Sequence, residues 1–192
     1  RSFVKINNWI LKFRKFKMIN FKDIYFSIGG VTLFENASGF VPTGHKVGIV
    51  GRNGVGKTTL FKLILKEISL DSGEIEVPKN FKIGSVSQEA PSTEETLLGT
   101  VLSADIERSK LLHESQVEKD PNKIAEIHIR LSDINAYSAE ARASSILNGL
   151  GFNKDDILKP CSSFSGGWRM RVALASVLFS NPELLLLDEP TN

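Results

Sequence analysis

This sequence predicts an α/β fold with parallel core strands, on three observations. Gly51 to Thr59 reads as a glycine-rich loop between a hydrophobic strand and a helix. Leu184-Leu185-Leu186-Leu187 is an apolar run that ends in two carboxylates, Asp188 and Glu189. Around them, short β-type stretches alternate with amphipathic helical ones, the order expected of a sheet with crossover helices. At 192 residues the chain suits one domain with a proper core.

Residues 1–17 carry Arg1, Lys5, Lys12, Arg14, Lys15 and Lys17 and no acid. Phe3, Ile6, Ile10, Phe13 and Phe16 recur at helical spacing, which suits a basic amphipathic helix. The alternative is an upstream extension or unprocessed leader, and Met18 as a natural start favours it. From Met18 to about Phe40, β-branched and aromatic residues predict antiparallel strands, with turns at Gly29-Gly30 and Ser38-Gly39. Residues 46–50 predict a buried strand into the glycine loop, and 57–68 the helix after it. Asp71 to Glu74 reads as a turn; Ile75, Val77, Ile83 and Val86 belong to further short strands. Residues 91–160 form a polar, helix-favouring segment, with Ile124, Ile127, Leu131 and Ile134 on one face and a further helix from Ala139 to Leu150. A helix from Trp168 to Phe179 follows, then the Leu184–Leu187 strand, whose unbroken apolar run suits burial on both faces.

The net charge of +2 does not argue for nucleic-acid binding by the body of the domain. Cys161, the single cysteine, excludes an internal disulfide and suits a reducing compartment. No run approaches the roughly 18 apolar residues of a membrane helix. His113 and His128 have no partners at metal-ligand spacing and read as surface or packing residues.

The chemistry is concentrated in a few places. Gly51-Arg52-Asn53-Gly54-Val55-Gly56-Lys57-Thr58-Thr59 fits the phosphate-binding P-loop. Its glycines let the backbone turn amides towards an anion, Lys57 adds charge at the β/γ-phosphates, and Thr58 offers a hydroxyl to Mg²⁺. Asp188, at the end of a hydrophobic strand, is the second Mg²⁺ ligand expected of such proteins, and Glu189 is placed to act as general base on water. Ser165-Gly166-Gly167 stands before a helix, another anion-binding arrangement, with a plain N-cap as the bland reading. Gln88 is an uncharged oxygen donor just after a predicted strand.

In this order, P-loop, glutamine, helical segment, Ser-Gly-Gly and Asp-Glu strand, the chain resembles the ATP-binding domain of the ABC superfamily from Met18 to Asn192. Arg52-Asn53-Gly54, Trp168-Arg169-Met170-Arg171 and Pro190-Thr191-Asn192 are similar to the ABC-F branch. Ser138 to Phe152 looks like the first domain of that branch. The resemblance implies an ABC-type P-loop NTPase fold with an antiparallel β subdomain and an α-helical subdomain. It also implies an ATPase using ATP and Mg²⁺, with Thr58, Gln88 and Asp188 at the metal and Gln88 and Glu189 at the attacking water. Ser165, Gly166 and Gly167 would face a nucleotide held by a second ABC domain. ABC-F proteins carry two such domains and no transmembrane segment, and act in the cytoplasm on the ribosome. Contacts to rRNA or tRNA are expected through parts outside this chain.

Two departures accompany the resemblance. The family stacks an aromatic residue on adenine where this chain has Ile28, so stacking is weaker, replaced by apolar contact, or supplied by Tyr25 or Phe26. The family's switch histidine and aspartate loop fall beyond Asn192, so a C-terminally truncated fragment with weak or no turnover and one exposed sheet flank is expected. The competing readings are the ATPase subunit of a membrane transporter and a binding-only module, against which Glu189 stands.

Overall fold

The computed structural model describes residues 18–79, 81–86 and 92–188. The basic stretch 1–17, Gln88 and Glu189 lie outside the described residues. The chain divides into two units, Arg1–Asn80 and Phe81–Asn192.

In the first unit, β1 (Met18–Ile28) and β2 (Val31–Pro42) form an antiparallel hairpin. Gly29 and Gly30 join them with φ of +57° and +79°, the left-handed pair that a tight hairpin turn requires. β3 (Ser72–Glu76) pairs with the other edge of β1, also antiparallel. The buried side chains of β1 are Ile19, Ile24 and Phe26, so the inward face changes from odd to even positions along the strand. An extra residue must absorb that change. Asp23 is the residue: its φ is +43°, and the register shifts between Phe21 and Ile24. Ser38 holds this bulge, its Oγ accepting from the Asp23 amide at 2.8 Å and donating to Asp23 Oδ1 at 2.8 Å. Ser38-Gly39, expected as a turn, therefore lies inside β2.

The turn expected at Asp71–Glu74 is likewise mostly strand. Gly73 sits in β3 at φ +84°, against the bulge. A Cβ there would run into the Asp23 carbonyl oxygen. Gly73→Ala should destabilise the unit by about 2–4 kcal/mol, from backbone strain plus overpacking, measured as a fall in the urea midpoint; an unchanged midpoint would show that the bulge yields freely.

Two further expectations are corrected in this unit. Residues 46–50 form no strand, and Val47, Ile49 and Val50 are exposed at 59%, 42% and 97%. A strand exists only through ladder partners, and these residues have none among the described residues. The helix α1 spans Lys57–Ile64 and stops short of residue 68. Lys66 adopts φ +60°, its amide donating to Leu63 O at 3.1 Å and that of Glu67 to Lys62 O at 2.9 Å, which terminates the helix.

The second unit has a two-stranded parallel sheet of β4 (Ile83–Val86) and β5 (Leu184–Leu187), in register from Ile83↔Leu184 to Val86↔Leu187. Between them run α2 (Leu97–Ser103), α3 (Ile106–Val117), α4 (Pro121–Asp133), α5 (Ala139–Gly149) and α6 (Gly166–Phe179). Side-chain caps start three of these helices: Thr96 accepts from Gly99 N, Asp105 from Arg108 N and Asp120 from Asn122 N. The core is built by α2, α5 and α6, through Leu97, Val101, Ala139, Ala143, Leu147, Val172 and Ala175, with Phe152 and Cys161 filling between them. Cys161 is fully buried with its Sγ 3.2 Å from Thr100 Oγ1, a packing role. On the expected face of α4 only Leu131 is fully buried, while Ile124, Ile127 and Ile134 are half-buried. His128 is exposed and pairs with the Tyr137 hydroxyl at 2.9 Å. Among the described residues no cluster of His, Cys, Asp or Glu could hold a metal ion. β5 is not buried on both faces: Leu186 is buried, Leu184 and Leu185 are half-buried, and Leu187 is 36% exposed. Its one ladder among the described residues is with β4, which leaves its other edge unpaired there.

Candidate nucleotide-binding site

The glycine loop takes its shape from local sterics. Gly54 and Gly56 have φ of +83° and +104°, and Gly56 in that conformation starts α1. The turn closes with the Val55 amide donating to Arg52 O at 3.3 Å. A Cβ on Gly51 would lie 2.6 Å from Val55 Cγ1, so the approach of the two limbs requires glycine there. Behind the loop, β2 supplies Leu33 and Phe34, both about van der Waals distance from where a Cβ on Gly56 would stand. Lys57 folds back over the loop, its Nζ donating to Gly51 O at 2.9 Å and to Arg52 O and Asn53 Oδ1 at 3.4 Å. The first turn of α1 has no acid and no side-chain cap, so its amides and its positive dipole end stand at the same place as the ammonium. Thr58 is exposed and Thr59 half-buried in that turn. Cation, amides and dipole together make an anion-binding loop.

The residues expected to act with the loop fall in the second unit. Asp188 directly follows β5 and is half-buried. Ser165 is the N-cap of α6 with φ −64° and ψ 161°, but its side chain makes no cap hydrogen bond. Gly166 and Gly167 are the first two residues of α6, so this helix begins two residues earlier than the sequence suggests. All three are exposed.

Four features escaped the sequence reading. The pairing of Asp23 with Ser38 carries no sequence signal, because the two residues meet only across the hairpin. Phe26, one of the aromatic residues near the expected base contact, is 7% exposed and turned into the core. Ile28 and its cross-strand partner Val31 are 60% and 61% exposed at the hairpin tip. Arg171 stacks on Trp168, with its guanidinium carbon 4.4 Å from the ring centroid. The signal for that last pair was available: a tryptophan and an arginine three apart on one helix.

The family model described as ABC transporter matches residues 34–192. The ATP-binding protein YheS of Escherichia coli K12 is 43% identical over an aligned length of 178, covering 91% of this chain and 28% of that protein. ABC transporter F family member 3 of Arabidopsis thaliana is 42% identical, covering 91% of this chain and 27% of that protein. Protein GCN20 of Saccharomyces cerevisiae is 38% identical, covering 88% of this chain and 26% of that protein. The chain thus spans about a quarter of the length of these curated relatives. Among solved structures, a metal-chelate type ABC transporter in an inward-facing conformation is similar with a TM-score of 0.63 at 25% identity, covering 92% of this chain and 61% of that one. A nucleotide-free ATP-binding cassette of an ABC transporter gives 0.62 at 21% identity, covering 91% of this chain and 70% of that one. The α/β fold is thus that of the P-loop ABC ATPases, and with its glycine loop formed as described the chain belongs to the ABC transporter family as an ATP-binding domain.

Proposed function

We propose that this domain, residues 18–192 with a helical subdomain at 91–160, works in an ABC-F type ATPase that acts on the ribosome through nucleotide-driven pairing of two ABC domains. The observation that supports this most is the 42% identity to a named F family member across 91% of the chain. ATP is held at its phosphates by Lys57 and the amides of residues 51–59. Hard oxygen donors suit Mg²⁺, and Thr58, Gln88 and Asp188 are the ligands we assign to it; when bound, it supplies charge neutralisation at the phosphates. The Thr58 hydroxyl and Asp188 carboxylate are both of that hard type, and Thr58 is exposed in the turn that carries the phosphate site. Glu189 removes a proton from the water that attacks the γ-phosphorus, as the bond from that phosphorus to the β–γ bridging oxygen breaks. Ser165, Gly166 and Gly167 complete the site of the second domain's nucleotide, and the uncapped start of α6 fits that use.

The base contact we assign is apolar rather than aromatic. On β2, Leu33 and Phe34 stand behind Gly56, and at the tip of the same β1–β2 hairpin Ile28 and Val31 are paired and exposed, which supports an apolar contact there.

A second reading, the ATPase subunit of a transporter, is favoured by the likeness to a solved transporter. No helix among the described residues is long and apolar enough to cross a membrane. Gradient sedimentation of the full-length protein with a non-hydrolysable ATP analogue separates the two. Co-migration with ribosomal particles is the expected result, and recovery with membranes instead would replace the first reading by the second.

A further inference from the structure

Two glycines and an unused cap are a loose way to begin a helix. Directly after them, however, α6 is tied down. Trp168 meets Phe152 edge-on with ring centroids 5.0 Å apart, and Phe152 in turn meets Phe164 at 5.7 Å. Phe152 is 2% exposed and part of the core, so it is a fixed wall, whereas Trp168 is 37% exposed. The outer layer is Arg171, stacked on the indole, with Nη1 donating to Leu150 O at 3.3 Å. Leu150 is the C-cap of α5, where an unsatisfied carbonyl and the negative dipole end favour a cation. Gly151 keeps the space open: at φ +98°, a Cβ there would lie 3.3 Å from Arg171 Nη1 and 3.8 Å from the Trp168 ring.

These contacts do little to hold α6 in the unit as a whole. Val172, Ala175 and Phe179 already do so, at 0%, 0% and 5% exposure. What the Trp168–Arg171 stack adds is local, at the first turn, between the Ser-Gly-Gly segment and the end of α5. We propose that Trp168 and Arg171 are positioning residues that hold the Ser165–Gly167 turn against the C-terminus of α5, so that the turn meets a partner domain's nucleotide already ordered. This rests on the pairing reading given above. Neither residue touches the nucleotide; each acts through the order of the turn. A preordered turn reduces the entropy lost on pairing, so the effect belongs in the ATP concentration needed rather than in the chemical step.

The test is the ATP dependence of hydrolysis by the full-length protein, with thermal unfolding measured alongside. Gly166→Asp serves as reference, because it places a carboxylate where the partner's phosphates would arrive, and it is expected to abolish turnover. Arg171→Gln and Trp168→Leu are expected to raise KM for ATP roughly three- to tenfold, with kcat changed less than about twofold. Trp168→Phe keeps an aromatic edge towards Phe152 and a face for Arg171, so it should restore KM to within about twofold of the parent. Arg171→Gln should move the unfolding midpoint by less than about 3 °C, since the buried contacts of α6 remain. An unchanged KM in both Arg171→Gln and Trp168→Leu, with Gly166→Asp inactive, overturns the positioning role alone. Losses that only track a fall in unfolding midpoint assign the stack to stability and overturn it as well. Normal turnover by Gly166→Asp overturns the pairing reading, and the positioning role with it.

Discussion

Glu189→Gln in the full-length protein is expected to lower kcat about 100-fold or more while ATP binds at parental strength. Glutamine has nearly the shape of glutamate but no basic oxygen, so the water loses its proton acceptor and the phosphate contacts stay. The residue follows Asp188 at the end of a strand whose pairing with β4 is parallel and in register through Leu187. Asp188 thus stands at the carboxyl end of that sheet, where α/β folds bind ligands, and Glu189 is the next residue in the sequence. With hydrolysis blocked, the two domains should accumulate in the ATP-bound closed pair, seen as slowed release of labelled ATP. Parental turnover in this variant would remove Glu189 from the base role.

Lys57→Ala is expected to weaken ATP binding more than tenfold, about 1.4 kcal/mol or more. Two losses contribute. The γ-phosphate loses a cation in the mouth of the loop, and the loop loses the ammonium that spans Gly51 O, Arg52 O and Asn53 Oδ1. The second loss is conformational. Gly54 and Gly56 are held at positive φ in this loop, so removing the bridge widens the set of loop shapes. Titration of the purified protein with a fluorescent ATP analogue reads the combined effect. Unchanged affinity would take phosphate binding away from this loop. Together the two variants separate binding from turnover: Lys57→Ala should fail at the first step and Glu189→Gln only at the second.

The P-loop was legible because its residues carry their geometry with them: glycines at positive φ, lysine at the helix start, and a helix with no acid in its first turn. The Gly29-Gly30 hairpin and the Leu184–Leu187 strand were legible for the same reason, since turn chemistry and an apolar run are local signals. The misreadings have a different origin. Ser38-Gly39 and Asp71–Glu74 carry turn-type composition, yet Ser38-Gly39 and Ser72–Glu74 lie in strands, because Ser38 and Gly73 serve a bulge at Asp23 from either side of β1. Composition marks where a chain departs from regular structure but does not say whether the departure is a turn or a bulge. Residues 46–50 have strand composition and form no strand, because a β-segment is completed by its neighbours and not by itself.

For the candidate site the division is similar. Sequence alone determined which side chains are candidates for the chemistry: Lys57 and Thr58 in the glycine loop, Asp188 and Glu189 after an apolar run, and Ser165 to Gly167 before a helix. It did so because each motif is a short run whose backbone shape and charge follow from its own residues. Only the tertiary structure decided what supports those runs. Leu33 and Phe34 stand behind Gly56, Phe26 is buried while Ile28 and Val31 are exposed, and Arg171, stacked on Trp168, reaches the Leu150 carbonyl at the end of α5. The pairs among these come from residues apart in the chain or from a helix face whose packing partner the sequence does not name. Local conformation is written in neighbouring residues, whereas support is a property of contacts, and contacts exist only once the chain has folded.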